Sequence, residues 1–251
     1  MYIDSHCHLS VEDYDNIDLV IRENRENNIG KIIVSGCSKG SILESVELAS
    51  KYDDVYVTLG YHPSEVLNYT DDDLEELEKL LLNNSKVVGL GEIGLDYHYG
   101  RETKDKQIVL FEKQLKIAEK LGMVVVIHSR DATEDTMNIL KQYHLKGVIH
   151  CFSGSIEVAK EYIKMGFKLG IGGVVTFKNS NLFKIVEAVG LENIVLETDS
   201  PYLTPEPYRG SKNSSKYIPI IADKIADILK VDLSAVEKVT TTNTSEMFDL
   251  D

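Results

Sequence analysis

MVVVIH, residues 123–128, is a run of five apolar residues that stops on a histidine. Its uninterrupted, β-branched character suits a strand covered on both faces, as in a parallel sheet flanked by helices. Seven more short runs share that character: YID (2–4), KIIVSG (31–36), VYVTLG (55–60), KVVGLGE (86–92), KGVIHC (146–151), FKLGIG (167–172) and NIVLETD (193–199). Helical periodicity lies between them. In 71–82, Asp71, Asp72 and Asp73 precede Leu74, Leu77 and Leu81, and acidic residues suit the positive end of a helix dipole. In 107–121, Phe111, Leu115, Ala118 and Leu121 form a stripe that Gly122 can close. Ser155 can cap a helix over 155–165 that ends at Gly166. A stripe of Ile218, Ile221, Ala222, Ile225 and Leu229 marks 216–229, and Ser234 and Glu237 have capping-box spacing. Eight strands alternating with helices predict an α/β fold, a (β/α)8 TIM-type barrel, as one domain over 1–251. A doubly wound open sheet is the alternative that strand count leaves open. The longest loops, 93–106 and 200–215, follow strand C-termini, where barrels build their active sites.

Composition narrows the function. The chain of 251 residues is 43% hydrophobic and 27% charged, within the range of folded globular proteins. No apolar run reaches the length of a membrane span, and the start, MYIDSHCHLS, lacks the basic and apolar regions of a signal peptide. Cys7, Cys37 and Cys151 have no framework spacing, which suits a reducing compartment, and the expected location is cytoplasmic. A net charge of −14 opposes nonspecific binding to nucleic acid or anionic membrane, so a nucleic-acid substrate needs a local basic patch or metal ions.

The histidines supply the chemistry. In a strand, alternate residues share a face, so His6 and His8 can reach one ion while Cys7 points away. His128 ends the fifth run, His150 lies at the end of the sixth, and His62 follows the third within two residues. Five of seven histidines therefore stand at strand C-termini; only His98 and His144 lie elsewhere. Buried imidazoles used only to fill a core would need polar partners, which makes that role less apt. Glu92 ends the fourth run and Asp199 the eighth. A lone carboxylate at a strand end is commonly a cap or an ion-pair partner. Two on one rim with four histidines suit a binuclear metal site of His6, His8, Glu92, His128, His150 and Asp199. Nitrogen and oxygen ligands without cysteine fit two divalent ions such as Zn, Mn, Ni or Co, or Mg with waters. Cys7 and Cys151 are expected to be packing residues, with Cys151 facing outward.

These segments resemble the TatD family of metal-dependent deoxyribonucleases, in the amidohydrolase superfamily. The matching motifs are DSHCHL (4–9), LGYHP (59–63), GEIGLDY (91–97), VIHSRDA (126–132), HCFSG (150–154) and ETDSPYL (197–203). They occur in family order across nearly the whole chain, and their specificity lies in the set. The resemblance implies that His6, His8 and Asp199 bind one metal, that His128 and His150 bind the other, and that Glu92 bridges. It also implies a DNA substrate, with single-stranded or 3′ ends favoured. In such sites a metal-bound water ionises near pH ~7, and paired cations stabilise the attacking and leaving oxygens of phosphoryl transfer. Asp199, Glu92 and His62 are the expected catalytic residues, with His62 on a phosphate or the activated water. Arg130, Arg209 and Lys212 are candidate phosphate binders, since guanidinium groups suit phosphate oxygens, though an exposed basic residue is often only a solvated charge. Tyr97, Tyr99, Phe152, Tyr202 and Tyr208 can stack bases or simply pack their loops.

The segment after the eighth run departs from the family's P-x-P-x-R-G-K-R-N-E-P pattern. Ser211, Ser214 and Ser215 replace its lysine, glutamate and proline, while Arg209, Gly210 and Asn213 remain. The same site can serve an ester or amide hydrolase, such as a D-aminoacyl-tRNA deacylase, because fold does not fix substrate. A non-catalytic metal-binding scaffold is the third reading, and six intact candidate ligands oppose it.

Overall fold

The computed structural model describes residues 1–250, and eight strands and nine α-helices alternate through them. The chain runs β1 (Tyr2–Cys7), α1 (Ile17–Glu26), β2 (Ile29–Gly36), α2 (Lys39–Lys51), β3 (Val55–Leu59), α3 (Asp71–Asn83) and β4 (Val87–Asp96). It continues with α4 (Lys104–Leu121), β5 (Val125–Arg130), α5 (Thr133–Leu140), β6 (Gly147–Ile149), α6 (Ile156–Lys164), β7 (Phe167–Ile171), α7 (Leu182–Val189), β8 (Ile194–Leu196), α8 (Ile218–Leu229) and α9 (Leu233–Phe248). The strands pair in parallel in sequence order, β1 through β8, so the open-sheet alternative does not apply.

A seam between first and last strands closes the ring. The Asp199 N–H donates to the His6 carbonyl at 3.0 Å, and the His8 N–H donates to the Ser200 carbonyl at 2.7 Å. The side chain of Asp4 reinforces the seam by accepting from the Thr198 N–H (3.0 Å) and hydroxyl (2.6 Å). The main apolar core, containing Leu59, Leu90, Ile127 and Leu169, lies between strands and helices. A smaller cluster joins Ile3, Ile33, Val126, Val148 and Val195 to Met247, Phe248 and Leu250 from the last helix and its exit.

Local signals explain most elements. Thr70 and Asp73 form a capping box at α3, Ser155 caps α6 by accepting the Val158 N–H, and left-handed Gly122 ends α4. Two expectations fail. Ser234 and Glu237 make no capping box: Asp232 holds the N-cap position of α9, and Glu237 pairs with the N-terminal ammonium at 2.7 Å. The fourth strand does not end at Glu92 but runs on to Asp96, so the loop drawn from 93 begins after the strand. Glycine permits that extension. Gly94 has φ of +146°, and a Cβ there would lie 1.9 Å from the His128 carbonyl oxygen. A side chain at 94 would hold β4 off β5 where Glu92 and His128 meet.

Candidate metal centre

Strand alternation and the closing seam bring all six candidate ligands to one mouth of the barrel. His6 and His8 leave β1 on the same side, while Cys7 turns away and donates its thiol to the Ile33 carbonyl (3.6 Å). Asp199 sits just beyond β8 with φ of +53°, in the left-handed region that aspartate tolerates better than most residues. His128 lies within β5, and His150 directly follows β6.

Glu92 stands between two pairs of imidazoles. Its Oε2 lies 3.6 Å from His6 Nε2 and 3.6 Å from His8 Nε2. Its Oε1 lies 2.8 Å from His128 Nδ1 and 3.0 Å from His150 Nε2. Asp199 Oδ1 completes the first pair, 3.7 Å from His6 Nε2 and 3.5 Å from His8 Nε2. Those first-pair separations exceed good hydrogen-bond lengths. They suit groups that converge on a cation between them. His6 is buried, and neither of its ring nitrogens has a hydrogen-bond partner among the described residues. Leaving such atoms unpaired is costly unless a ligand takes them up. The donor set therefore fits a divalent cation. Two groups able to hold one are His6–His8–Glu92 and Glu92–His128–His150.

Burial and charge set the protonation. Burial, then the neighbouring His150, drives the His6 imidazole well below its usual pKa, which leaves nitrogen lone pairs free. Burial alone would raise Glu92, but His150, His62 and His128 outweigh it and hold the carboxyl well below its usual range. Burial opposes protonation of His150, yet Glu92 and then Glu197 raise it to about 9.

Three carboxylates join the site that the sequence reading passed over. Asp96 Oδ2 lies 3.2 Å from His128 Nε2, Glu197 Oε1 lies 3.8 Å from His150 Nδ1, and Asp4 braces the segment before Asp199. Burial would raise Asp96, but His128 and the Tyr99 N–H hold it at about 2. Burial raises Glu197 to about 8. The signal was present: Asp4 shares parity with His6 and His8, Asp96 with Glu92, and Glu197 with Asp199.

His62 belongs to the same mouth. Its Nδ1 accepts the Ser64 N–H (3.1 Å), so Nε2 carries the ring hydrogen, and that atom lies 3.7 Å from Glu92 Oε1. Burial lowers its pKa to about 4, so the ring is neutral. His62, Asp96 and His128 also have polar atoms within 4.8 Å of one another.

The expected substrate contacts divide. Arg130 stands at the end of β5 with its guanidinium 4.8 Å over the exposed Tyr99 ring. Arg209 lies 3.8 Å over the Phe177 ring. Lys212 donates to the Asp13 carbonyl and rests over Tyr14, which commits its cation to the first loop. Asn213, retained in the divergent segment, is fully buried and ties that loop to the Thr198 carbonyl (2.9 Å). Cys151 corrects an expectation: β6 stops at Ile149, so Cys151 occupies a left-handed turn, lines a cleft beside His150, and gives its N–H to Glu197. His98 pairs with Asp131 at 3.2 Å on the surface, and His144 is exposed.

Known proteins share this plan. A family model described as TatD related DNase matches residues 3–249. YabD of Bacillus subtilis (strain 168), an uncharacterized metal-dependent hydrolase, is 37% identical over 253 residues, covering 99% of each chain. MJ1582 of Methanocaldococcus jannaschii, also an uncharacterized metal-dependent hydrolase, is 36% identical over 249 residues, covering 98% of this chain and 96% of that one. The crystal structure of YJJV, a TatD homologue from Escherichia coli K12, matches with a TM-score of 0.93 at 27% identity, over 100% of this chain and 98% of that one. An organophosphorus hydrolase from Deinococcus radiodurans, at TM-score 0.67 and 8% identity over 98% of this chain and 92% of its own, shares the fold alone. Matched from end to end, the chain belongs to the TatD-related DNase family of metal-dependent hydrolases, built on a single TIM-type barrel.

Proposed function

We propose that this hydrolase is a deoxyribonuclease that holds two divalent cations and cleaves phosphodiester bonds at DNA ends, with single strands preferred. The observation that carries the reading is the division of Glu92, whose Oε2 faces His6 and His8 while Oε1 faces His128 and His150. Cations held there, of Zn, Mn, Mg, Ni or Co, would supply water activation and offset charge on the phosphate. His6, His8 and Asp199 would hold one, His128 and His150 the other, with Glu92 shared between them. Asp199, besides serving as a ligand, would accept the proton of the attacking water. The neutral His62 donates its Nε2 hydrogen to a phosphate oxygen. Arg130 and Arg209 supply local positive charge to a chain of net charge −14. The three free cysteines fit a reducing, cytoplasmic setting. Among the described residues, no helix is long and apolar enough to cross a membrane.

The test offers two substrates to Mn-loaded protein: an end-labelled single-stranded oligonucleotide and a D-aminoacyl-tRNA. Ladder-like shortening of the oligonucleotide is expected. Release of amino acid alone would move the site to carbonyl esters.

A further inference from the structure

Helix α4 carries two glutamines on the face it buries. Gln107 and Gln114 stand among the apolar residues of that face, Leu110, Phe111, Leu115 and Ala118, and are 1% and 0% exposed. A buried side-chain amide is costly unless its donors and acceptor are matched. Both amides are matched, and by main chain. Gln114 Oε1 accepts the Tyr61 N–H at 2.7 Å, and its Nε2 donates to the Tyr61 carbonyl at 2.9 Å. Gln107 Oε1 accepts the Asp96 N–H at 2.8 Å, and its Nε2 donates to the Asp96 carbonyl at 2.9 Å. Gln107 Nε2 also reaches the Gly100 carbonyl (2.9 Å) and the Thr103 hydroxyl (3.1 Å). Each side-chain amide copies a peptide group and clamps one residue at both of its main-chain polar atoms. Buried peptide groups need such partners where the ladder runs out. The clamps fall at strand exits: Tyr61 lies just beyond β3, and Asp96 is the last residue of β4.

Both clamped residues adjoin the candidate metal centre. Tyr61 precedes His62, whose Nε2 lies 3.7 Å from Glu92. The Asp96 carboxylate meets His128 Nε2 at 3.2 Å. The two glutamines are two helical turns apart, a rise of ~10.5 Å, so one stiff element sets the spacing of two neighbouring strand exits. We propose that Gln107 and Gln114 are positioning residues of the hydrolytic site: through the main chain of Asp96 and Tyr61 they aim His128 and His62, each separately. The proposal rests on the reading in which His128 holds a cation and His62 meets the substrate phosphate.

The experiment compares the Zn-loaded protein with Gln107→Met and Gln114→Met, which keep the side-chain length and remove the amide. Gln114→Met should speed hydrogen exchange of the Tyr61 amide about tenfold, the scale of one lost hydrogen bond, and leave the Asp96 amide protected. Gln107→Met should do the reverse. In NMR spectra the His62 ring should shift in Gln114→Met alone, and the His128 ring in Gln107→Met alone. By equilibrium dialysis, Gln107→Met should weaken the cation of His128 and His150 roughly three- to tenfold, less than the loss of a carboxylate that itself meets the imidazole. The other cation should stay as it was. Gln114→Met should leave both cations in place and lower kcat/KM on the oligonucleotide about tenfold, part of what removing a whole donor costs. Leu110→Ala, between the two on α4 and 1% exposed, controls for lost packing: it should lower Tm and move none of these readouts. Should the methionine variants not fold, Gln107→Glu and Gln114→Glu keep the acceptor, lose the donor, and should divide dialysis and kcat/KM in the same way. Unchanged exchange at Tyr61 and Asp96 overturns the proposal. So do effects that both variants share, or that Leu110→Ala matches. An unaltered protein that leaves the oligonucleotide intact overturns the nuclease reading instead, and exchange, ring shifts and dialysis still decide the clamps.

Discussion

Behind His8 stands a main-chain carbonyl, that of Ser35, 3.3 Å from Nδ1. Behind His128 stands a side-chain carboxylate, Asp96, 3.2 Å from Nε2. The other ring of each pair is alike in one respect: Nδ1 of His6 and of His150 has no hydrogen-bond partner among the described residues, though the seam with Asp199 fixes the His6 backbone and the Glu197 carboxyl lies 3.8 Å from His150 Nδ1. The first half of the cage is aimed by the barrel's own backbone. The second has side-chain carboxylates beside it, Asp96 against His128 and Glu197 near His150. Carboxylates behind an imidazole fix its ring and strengthen it as a donor. The two halves therefore answer differently to mutation.

The largest effect should come from the group the halves share. Glu92→Gln should lose both cations and lower kcat roughly a thousandfold, the scale of several kcal/mol of lost charge stabilisation. Metal stoichiometry by equilibrium dialysis checks it, and retention of one cation at full affinity would show that the halves are independent. Asp199→Asn comes next. It should cut kcat roughly a hundredfold and weaken only the His6–His8 cation, with circular dichroism unchanged. Near-normal turnover would remove Asp199 from its role. Asp96→Asn and Glu197→Gln should each weaken the other cation, by about 10- to 100-fold in affinity. Equal weakening of both cations would erase the distinction between backbone-aimed and side-chain-aimed halves.

The smallest effect is one of slope. Without a cation, His150 keeps its proton up to about pH 9, and Glu92 and Asp96 raise His128 against its burial. A cation entering that half must displace protons, so uptake strengthens as pH rises toward about 9 and weakens as it falls. Asp96→Asn removes one group that raises His128, so the dependence on pH should become shallower. Proton release on adding Mn to weakly buffered protein measures this, and an unchanged slope would exclude Asp96 from control of His128.

Much of this was legible before any coordinates. The runs at 31–36, 55–60 and 123–128 predict strands because their apolar character is continuous. The parity of His6 and His8 predicts that they share a face. Other features were hidden because they depend on partners distant in the chain. Nothing local pairs Asp96 with His128 or Glu197 with His150, since the β4–β5 ladder and the approach of the segments after β6 and β8 create those contacts. The extension of β4 past Glu92 was missed for a related reason. Gly94 reads locally as a break, yet its close approach to the His128 carbonyl is what keeps β4 beside β5. At α9, Glu237 had the spacing of a cap, but the N-terminal ammonium is its partner.

The joining of the first and last strands also has a meaning in time. On the ribosome, His6 and His8 are made with β1, but Asp199 follows only after β2 to β8. A chain stopped before that point lacks one candidate ligand and the segment that fixes His6 and His8. Hydrolytic competence is thereby tied to synthesis of the eighth strand and its exit, and a product truncated before Asp199 should be catalytically silent.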